Sequence, residues 1–318
     1  MLTFRETDTV VAADKDSSNR TTRLIYYYLP NDRLFEHTED TTTDRFTCGF
    51  CKRSIKRKSN FHVHLKGCTA RIIIENIASK DFEEYTAQNR LELMMPYNPE
   101  KGLRMYISGP PGCGKSYLIG QTIREYTKQF PKRVIYLFSA VDSDRAIDGV
   151  IADIANRWNP KRFKRIDLSK LMDIDLDIEE FRGNASKKSG RRVGSLCIFD
   201  DIDKIPDKEL RKRIDSLKDA IHATGRDHEY RGGDIDIIVS NHLSLDSKRT
   251  QELLNQASYL ALFPHATSDH HIKTICMKYC GLSKDQVDRI TQTQSRYVII
   301  HRDVPIFVLE ERKVWLVK

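Results

Sequence analysis

The residues with the plainest chemistry are Gly109, Pro110, Pro111, Gly112, Cys113, Gly114, Lys115 and Ser116, a Gly-x4-Gly-Lys-Ser run. Glycines let the backbone curl until successive N–H groups point inward, and such a ring of donors opening a helix cradles phosphate. Lys115 is then placed to neutralise the β and γ phosphates of ATP, and the Ser116 hydroxyl to hold Mg2+. Cys113 fills a variable position of the loop. A second run, Leu196-Cys197-Ile198-Phe199-Asp200-Asp201, ends four apolar residues in two carboxylates. Asp200 suits Mg2+ held through water, and Asp201 suits orienting or deprotonating an attacking water. Asp203, just beyond, reads as structural, a helix cap. Ser139 and Asp142 follow the apolar run RVIYLFS, and Ser240, Asn241 and His242 follow IDIIVS. Asn241 is the preferred sensor of the γ-phosphate, against the plainer reading of a turn asparagine. Arg226 follows Gly225 at the end of a long helical pattern, where a cation ordinarily serves as a solvated charge or a helix-end partner.

A different chemistry is written earlier in the chain. Cys48-x2-Cys51-x12-His64-x3-Cys68 has zinc-finger spacing, with Cys in place of the usual last His. Two thiolates from a hairpin and a His and Cys one helical turn apart converge on a tetrahedral Zn2+. Phe46, Ile55 and Phe61 supply the small apolar core, and His62 is the competing ligand. Lys52, Arg53, Lys56, Arg57 and Lys58 surround the ligands, a charge set suited to DNA phosphates or an acidic protein, with DNA preferred. His270, His271, Cys276 and Cys280 read instead as one amphipathic, core-forming helix.

These residues need elements to hold them. The apolar runs LRMYIS, RVIYLFS, GSLCIFD, IDIIVS and YLALF, bounded by polar or turn residues and alternating with helical stretches, predict an α/β fold. Its centre is a P-loop NTPase core with a mostly parallel sheet of the RecA/ASCE-like kind, preceded by a small zinc-finger ββα unit. One crossover helix runs from Lys115 to about Phe130. Another is marked by Ile205, Leu210, Ile214, Leu217 and Ile221, with Gly225 as its stop. The expected organisation is a flexible N-terminal region over 1–45 with one strand in LIYYYLP, the finger over 46–68, a linker with a short helix over 69–100, and the ATPase domain over 101–318. RGNASKKSGRR reads as an exposed loop and the C-terminal SRYVIIHRDVPIFVLEERKVWLVK as a hairpin or added edge strands.

Composition bounds the function. The 318 residues carry 53 Lys and Arg against 45 Asp and Glu, a net charge of +8 that favours a polyanionic partner. With 39% hydrophobic residues the chain is able to form a core, and its seven cysteines do not make a disulfide scaffold. No apolar run approaches the roughly 18–20 residues of a membrane span, and the start lacks a signal-peptide core, so a soluble intracellular protein is expected.

The order of P-loop, Phe199-Asp200-Asp201, long helix into Gly225-Arg226-Asp227-His228, then IIVSNH, YLALFP and SRYVIIH resembles the viral genome-packaging ATPases of the poxvirus type, in the FtsK/HerA superfamily. The resemblance covers about residues 100–318. It implies an ATP-driven DNA translocase, a homo-oligomeric ring (hexamer or pentamer) sharing nucleotide sites between subunits, double-stranded DNA as substrate, and a capsid or portal partner in host cytoplasm or virion. It also implies that Arg226 is an arginine finger toward a neighbour and Asn241 a sensor. The family commonly has Gly-Arg-His where this chain has Gly225-Arg226-Asp227, and Gln where Asn241 or His242 stands. The competing functions are a zinc-finger DNA-binding protein with a nucleotide switch and a small-molecule P-loop kinase.

Overall fold

The computed structural model describes residues 10–16, 21–26, 38–40, 45–47, 54–56, 60, 63–64, 84–86, 91–93, 102–157, 162–168, 171, 177–183, 192–225, 234–242, 248–303 and 306–317. The chain divides into two compact units, Met1–Tyr97 with Pro305–Lys318, and Asn98–Val304.

Most of the described residues of the first unit lie in strands, with Asn60, Val63 and His64 helical. Val10–Asp16 pairs antiparallel with Thr21–Tyr26 on one side and Leu91–Leu93 on the other. Arg45–Thr47 lies between Thr38–Asp40 and Ser54–Lys56, again antiparallel. The C-terminal alternation forms the expected hairpin, Phe307–Glu310 with Lys313–Leu316, and the latter also pairs with Glu84–Thr86. More of the N-terminal region is strand than its Thr- and Asp-rich composition suggests. Within 69–100 the described residues are the strands Glu84–Thr86 and Leu91–Leu93, and the short helix expected there lies outside the described residues. Three-residue strands carry too little periodicity to be recognised before their partners are known.

In the second unit the strands are β1 (Arg104–Ser108), β2 (Val134–Ser139), β3 (Phe163–Arg165), β4 (Ser195–Asp200), β5 (Ile235–Asn241), β6 (Tyr259–Leu262) and β7 (Val298–His301). Their order in the sheet is β3-β2-β4-β5-β1-β6-β7, parallel except for β7, which runs antiparallel to β6. The helices are α1 (Lys115–Gln129), α2 (Arg145–Arg157), α3 (Lys208–Thr224), α4 (Lys248–Gln256), α5 (Asp269–Cys280) and α6 (Lys284–Thr291). Every residue of β1, β4 and β6 is buried. Central parallel strands with both faces covered read as unbroken apolar runs, which is why they were visible in the sequence.

One helix end differs from expectation and another agrees with it. Asp203 lies in a short 3-10 turn, and it is Asp207 that caps α3, its carboxylate accepting from the N–H groups of Glu209 and Leu210 at 2.8 and 3.0 Å. Gly225 does stop α3, but with φ −64, so left-handed freedom is not its role. A Cβ there would lie 2.4 Å from the Ile221 carbonyl oxygen and 3.1 Å from that of Ile235, and only glycine lets the helix end pass so close to β5. On α5, Cys276 and Cys280 are buried in the core as expected, while His270 is exposed.

At the opposite edge of the sheet from the polar strand ends, the wholly buried Asp236 on β5 binds three elements together. It accepts from the Leu103 N–H at 2.6 Å, the Tyr126 hydroxyl at 2.6 Å and the Arg133 guanidinium at 2.5 Å. The start of β1, the body of α1 and the approach to β2 are fixed by one carboxylate.

Candidate nucleotide site

Buried β1 ends at Ser108, the chain turns through residues 109–114, and α1 begins at Lys115. Gly112 and Gly114 have φ of 75 and 114, values that a side chain makes strained. The turn is closed by Cys113 N–H donating to the Pro110 carbonyl at 3.4 Å, and the first helical bond is Leu118 N–H to Gly114 at 3.0 Å. No acidic residue stands in the first turn of α1, so its positive end is left to an anion. The loop wraps the Lys115 ammonium, which donates to the carbonyls of Gly109 at 2.9 Å and Pro110 at 3.2 Å. Burial pushes the Cys113 thiol up against the opposing pull of Lys115, which suits a packing role and not a redox one.

The sheet brings the acid pair to the same edge. In register, Asp200 on β4 stands beside Ser139 on β2 and Ser240 on β5, and Asn241 on β5 stands beside Ser108 on β1. A single strand separates the one ending in the P-loop from the one ending in the acids, a gap of about 10 Å at two strand spacings. Burial first, and then the neighbouring Asp201, push the Asp200 carboxyl up to about 6, with the Ser240 hydroxyl and Lys115 pulling the other way. A dication there would favour the charged form.

Asp201 leaves the strand with φ 52, the one left-handed non-glycine residue among those described. Its N–H donates to the Ser240 carbonyl at 2.9 Å. Its Oδ2 meets Lys204 Nζ at 2.6 Å and His242 Nε2 at 3.4 Å, while the buried Oδ1 has no protein partner. One oxygen is held and the other is left without a hydrogen bond.

Of the residues beyond β5, His242 lies beside Asp201, whereas Asn241 ends β5 near the buried Tyr106 hydroxyl, which burial pushes up to about 12. Ser139 accepts from Val141 N–H at 3.3 Å and Asp142 is exposed. Ser116 is half-buried in the first turn of α1. A buried ammonium, a hydroxyl, a buried carboxylate and an unpartnered carboxylate oxygen suit a nucleotide with its Mg2+.

Arg226, Cys48, Cys51 and Cys68 lie outside the described residues, as does most of RGNASKKSGRR. His64 is half-buried, and no group of three or more metal-ligating side chains gathers among the described residues. No described helix is long and apolar enough to cross a membrane. Sequence reasoning missed Arg296, which enters the P-loop from 183 positions away: its Nε donates to the Cys113 carbonyl at 3.1 Å. An exposed arginine ahead of a strand gives no signal of its own.

No family model matches the chain. It is similar to the genome packaging NTPase B204 from Sulfolobus turreted icosahedral virus 2, solved with sulfate, at 15% identity and a TM-score of 0.41, covering 67% of this chain and 97% of that one. The cytoplasmic domain of the type VII secretion ATPase EccC from Thermomonospora curvata gives 11% identity and a TM-score of 0.40 over 66% of this chain and 25% of that one. Uncharacterized protein V3 of Sputnik virophage is 31% identical over 220 residues, which span 68% of this chain and 78% of that protein. At that identity and coverage the chain belongs to the family of the Sputnik virophage protein V3.

Proposed function

We propose that the chain is an ATP-hydrolysing DNA translocase that drives viral double-stranded DNA into a capsid. The observation that carries the ATPase reading is the meeting of the Lys115 loop with the Asp200–Asp201 pair at one sheet edge. Lys115 and the amides of residues 112–116 bind the phosphates, Ser116 and Asp200 hold Mg2+, and Asp201 orients the attacking water through its free Oδ1. Held by Ser116 and Asp200, Mg2+ would supply positive charge to offset that of the phosphates. The order of motifs along residues 100–318, the net charge of +8 and kinship with a virophage protein support DNA and a viral setting.

In this reading the chain works as a homo-oligomeric ring, Arg226 completes a neighbour's site, Asn241 contributes to sensing the γ-phosphate, and a capsid or portal protein receives the motor. Cys48, Cys51, His64 and Cys68 hold Zn2+. The stretch bearing the first two cysteines joins the antiparallel strands Arg45–Thr47 and Ser54–Lys56, the kind of connection a ββα finger uses. The finger then serves as a DNA tether.

The test is ATP turnover of the purified full chain with and without duplex DNA across a salt series. Stimulation by DNA that fades with salt is expected, and Lys115→Ala should fall to background in both conditions. Turnover indifferent to DNA at every salt concentration would overturn translocation, and an active Lys115→Ala protein would overturn the site itself.

A further inference from the structure

We infer that Arg296 is a nucleotide-binding residue of the same subunit, gripping the α and β phosphates. This rests on the P-loop reading above. Arg296 sits in the turn between α6 and β7, flanked by Ser295 and Tyr297, which are 6% and 5% exposed. The Ser295 hydroxyl donates to the Tyr297 carbonyl at 2.6 Å, and the Ser295 N–H donates to Thr293 Oγ1 at 3.1 Å. An exposed arginine is thus carried on a turn whose neighbours are locked into the core.

Its guanidinium lies flat against the P-loop. A Cβ on Gly114 would fall 2.9 Å from Cζ, Nε and Nη2, so the missing side chain of Gly114 makes room for Arg296 as well as allowing φ 114. With Nε spent on the Cys113 carbonyl, the guanidinium also faces the Tyr117 ring, 5.9 Å from its centroid, in the first turn of α1. Arg296 adds a second cation to the loop that carries Lys115 at the positive end of α1, and a nucleotide polyphosphate is the ligand this loop is shaped to take.

The two cations address different ends of the ligand. Lys115 is among the charges acting on Asp200, beside which the γ-phosphate and its metal belong, whereas Arg296 acts on Cys113 and lies along Tyr117. A group on the Tyr117 side touches phosphates that ADP and ATP share. Arg296 therefore contributes equally to binding both and little to the chemical step, unlike a finger that acts on the transition state.

The experiment compares ADP and a non-hydrolysable ATP analogue as titrants of the full-length chain, wild type against Arg296→Ala and Arg296→Gln, with turnover at saturating ATP. Both variants should lose roughly tenfold in affinity for both nucleotides, with a shallower dependence on salt and kcat little changed. Arg296→Gln keeps a donor for the Cys113 carbonyl, so affinity restored by Gln would reduce Arg296 to a brace of the loop and overturn the inference. Unchanged ADP affinity, or a fall in kcat with affinity intact, would overturn it too. Failure of the wild type to bind either nucleotide would instead strike the P-loop reading. Melting curves of Arg296→Gln matching the parent keep a binding loss from being misread as unfolding.

Discussion

Asp200 shows at the scale of one residue how this site stores cost in the empty protein. Its carboxyl is pushed up to about 6, above the ordinary value near 4, chiefly by burial and secondly by Asp201. The folded chain therefore holds this proton more tightly than the unfolded chain. The stability tied to it is present below the unfolded value and is lost as pH rises through about 6. A rise of that size corresponds to about 3 kcal/mol as an upper order of magnitude. Asp200→Asn should accordingly raise the melting temperature of the nucleotide-free protein at pH 8, by roughly 2–4 °C for each kcal/mol recovered. The gain should vanish near pH 4, and ATP turnover should be lost at both. Melting curves at the two pH values check this, and equal melting temperatures for variant and parent at pH 8 would contradict it. A dication bound beside Asp200 would favour its charged form and offset that cost.

At the scale of elements, the parts readable from sequence and the parts that were not differ for a physical reason. The strands β1, β2, β4, β5 and β6 are buried on both faces, so each appears as an apolar run. Their polar endings at Ser139, Asp200 and Asn241 pointed to one sheet edge before the register was known. Helix α3 was legible because Leu210, Ile214, Leu217 and Ile221 all face inward. Its cap was misplaced because Asp203 and Asp207 have equal capping propensity, and Asp203 is taken up in a 3-10 turn of its own ahead of the helix. Lys204 on Asp201 and Arg296 on Cys113 were hidden, since contacts made by exposed cations leave no periodic trace.

Asp236 is the sharpest case of this kind. A carboxylate inside IDIIVS interrupts an apolar run, yet its three partners come from Leu103, Tyr126 and Arg133, which no local pattern connects. Asp236→Ala would take the acceptor from the buried Leu103 amide and the carboxylate from the mostly buried Arg133 guanidinium, leaving the Tyr126 hydroxyl the Ser195 carbonyl at 3.3 Å and Arg133 the Tyr126 hydroxyl at 3.0 Å. A loss of about 3–5 kcal/mol is expected from breaking such a pair on one side. Asp236→Asn, which retains an acceptor, should lose less. Chemical denaturation of the two variants measures the order, and an Ala variant as stable as the parent would show that the network carries no net stability. Because Asp236 anchors the start of β1, whose far end bears the P-loop, nucleotide affinity of the folded Ala variant should also weaken.

At the scale of the molecule, the two chemistries are partitioned between two units. Cys48, Cys51, His64 and Cys68 all fall within Met1–Tyr97, whereas the P-loop, Asp200, Asp201 and Arg296 all fall within Asn98–Val304. A zinc finger gains its folding free energy from the metal, because the thiolates and imidazole are brought together only when the ion is bound. The second unit has its own continuous core across a seven-membered strand order, and Lys115, Ser116, Asp200 and Asp201 all lie in it. Removing zinc with a chelator should therefore lower the ordered content of the first unit and weaken duplex binding, most visibly at low salt where the basic residues around the ligands act. Nucleotide affinity and DNA-free turnover should be unchanged. Metal analysis before and after chelation, paired with nucleotide and duplex titrations on the same sample, separates the outcomes. Protein from a zinc-replete preparation that contains no metal would remove the finger from the proposal. A parallel loss of nucleotide binding on chelation would show that the second unit depends on the first for its fold, and that the two chemistries are one structural system.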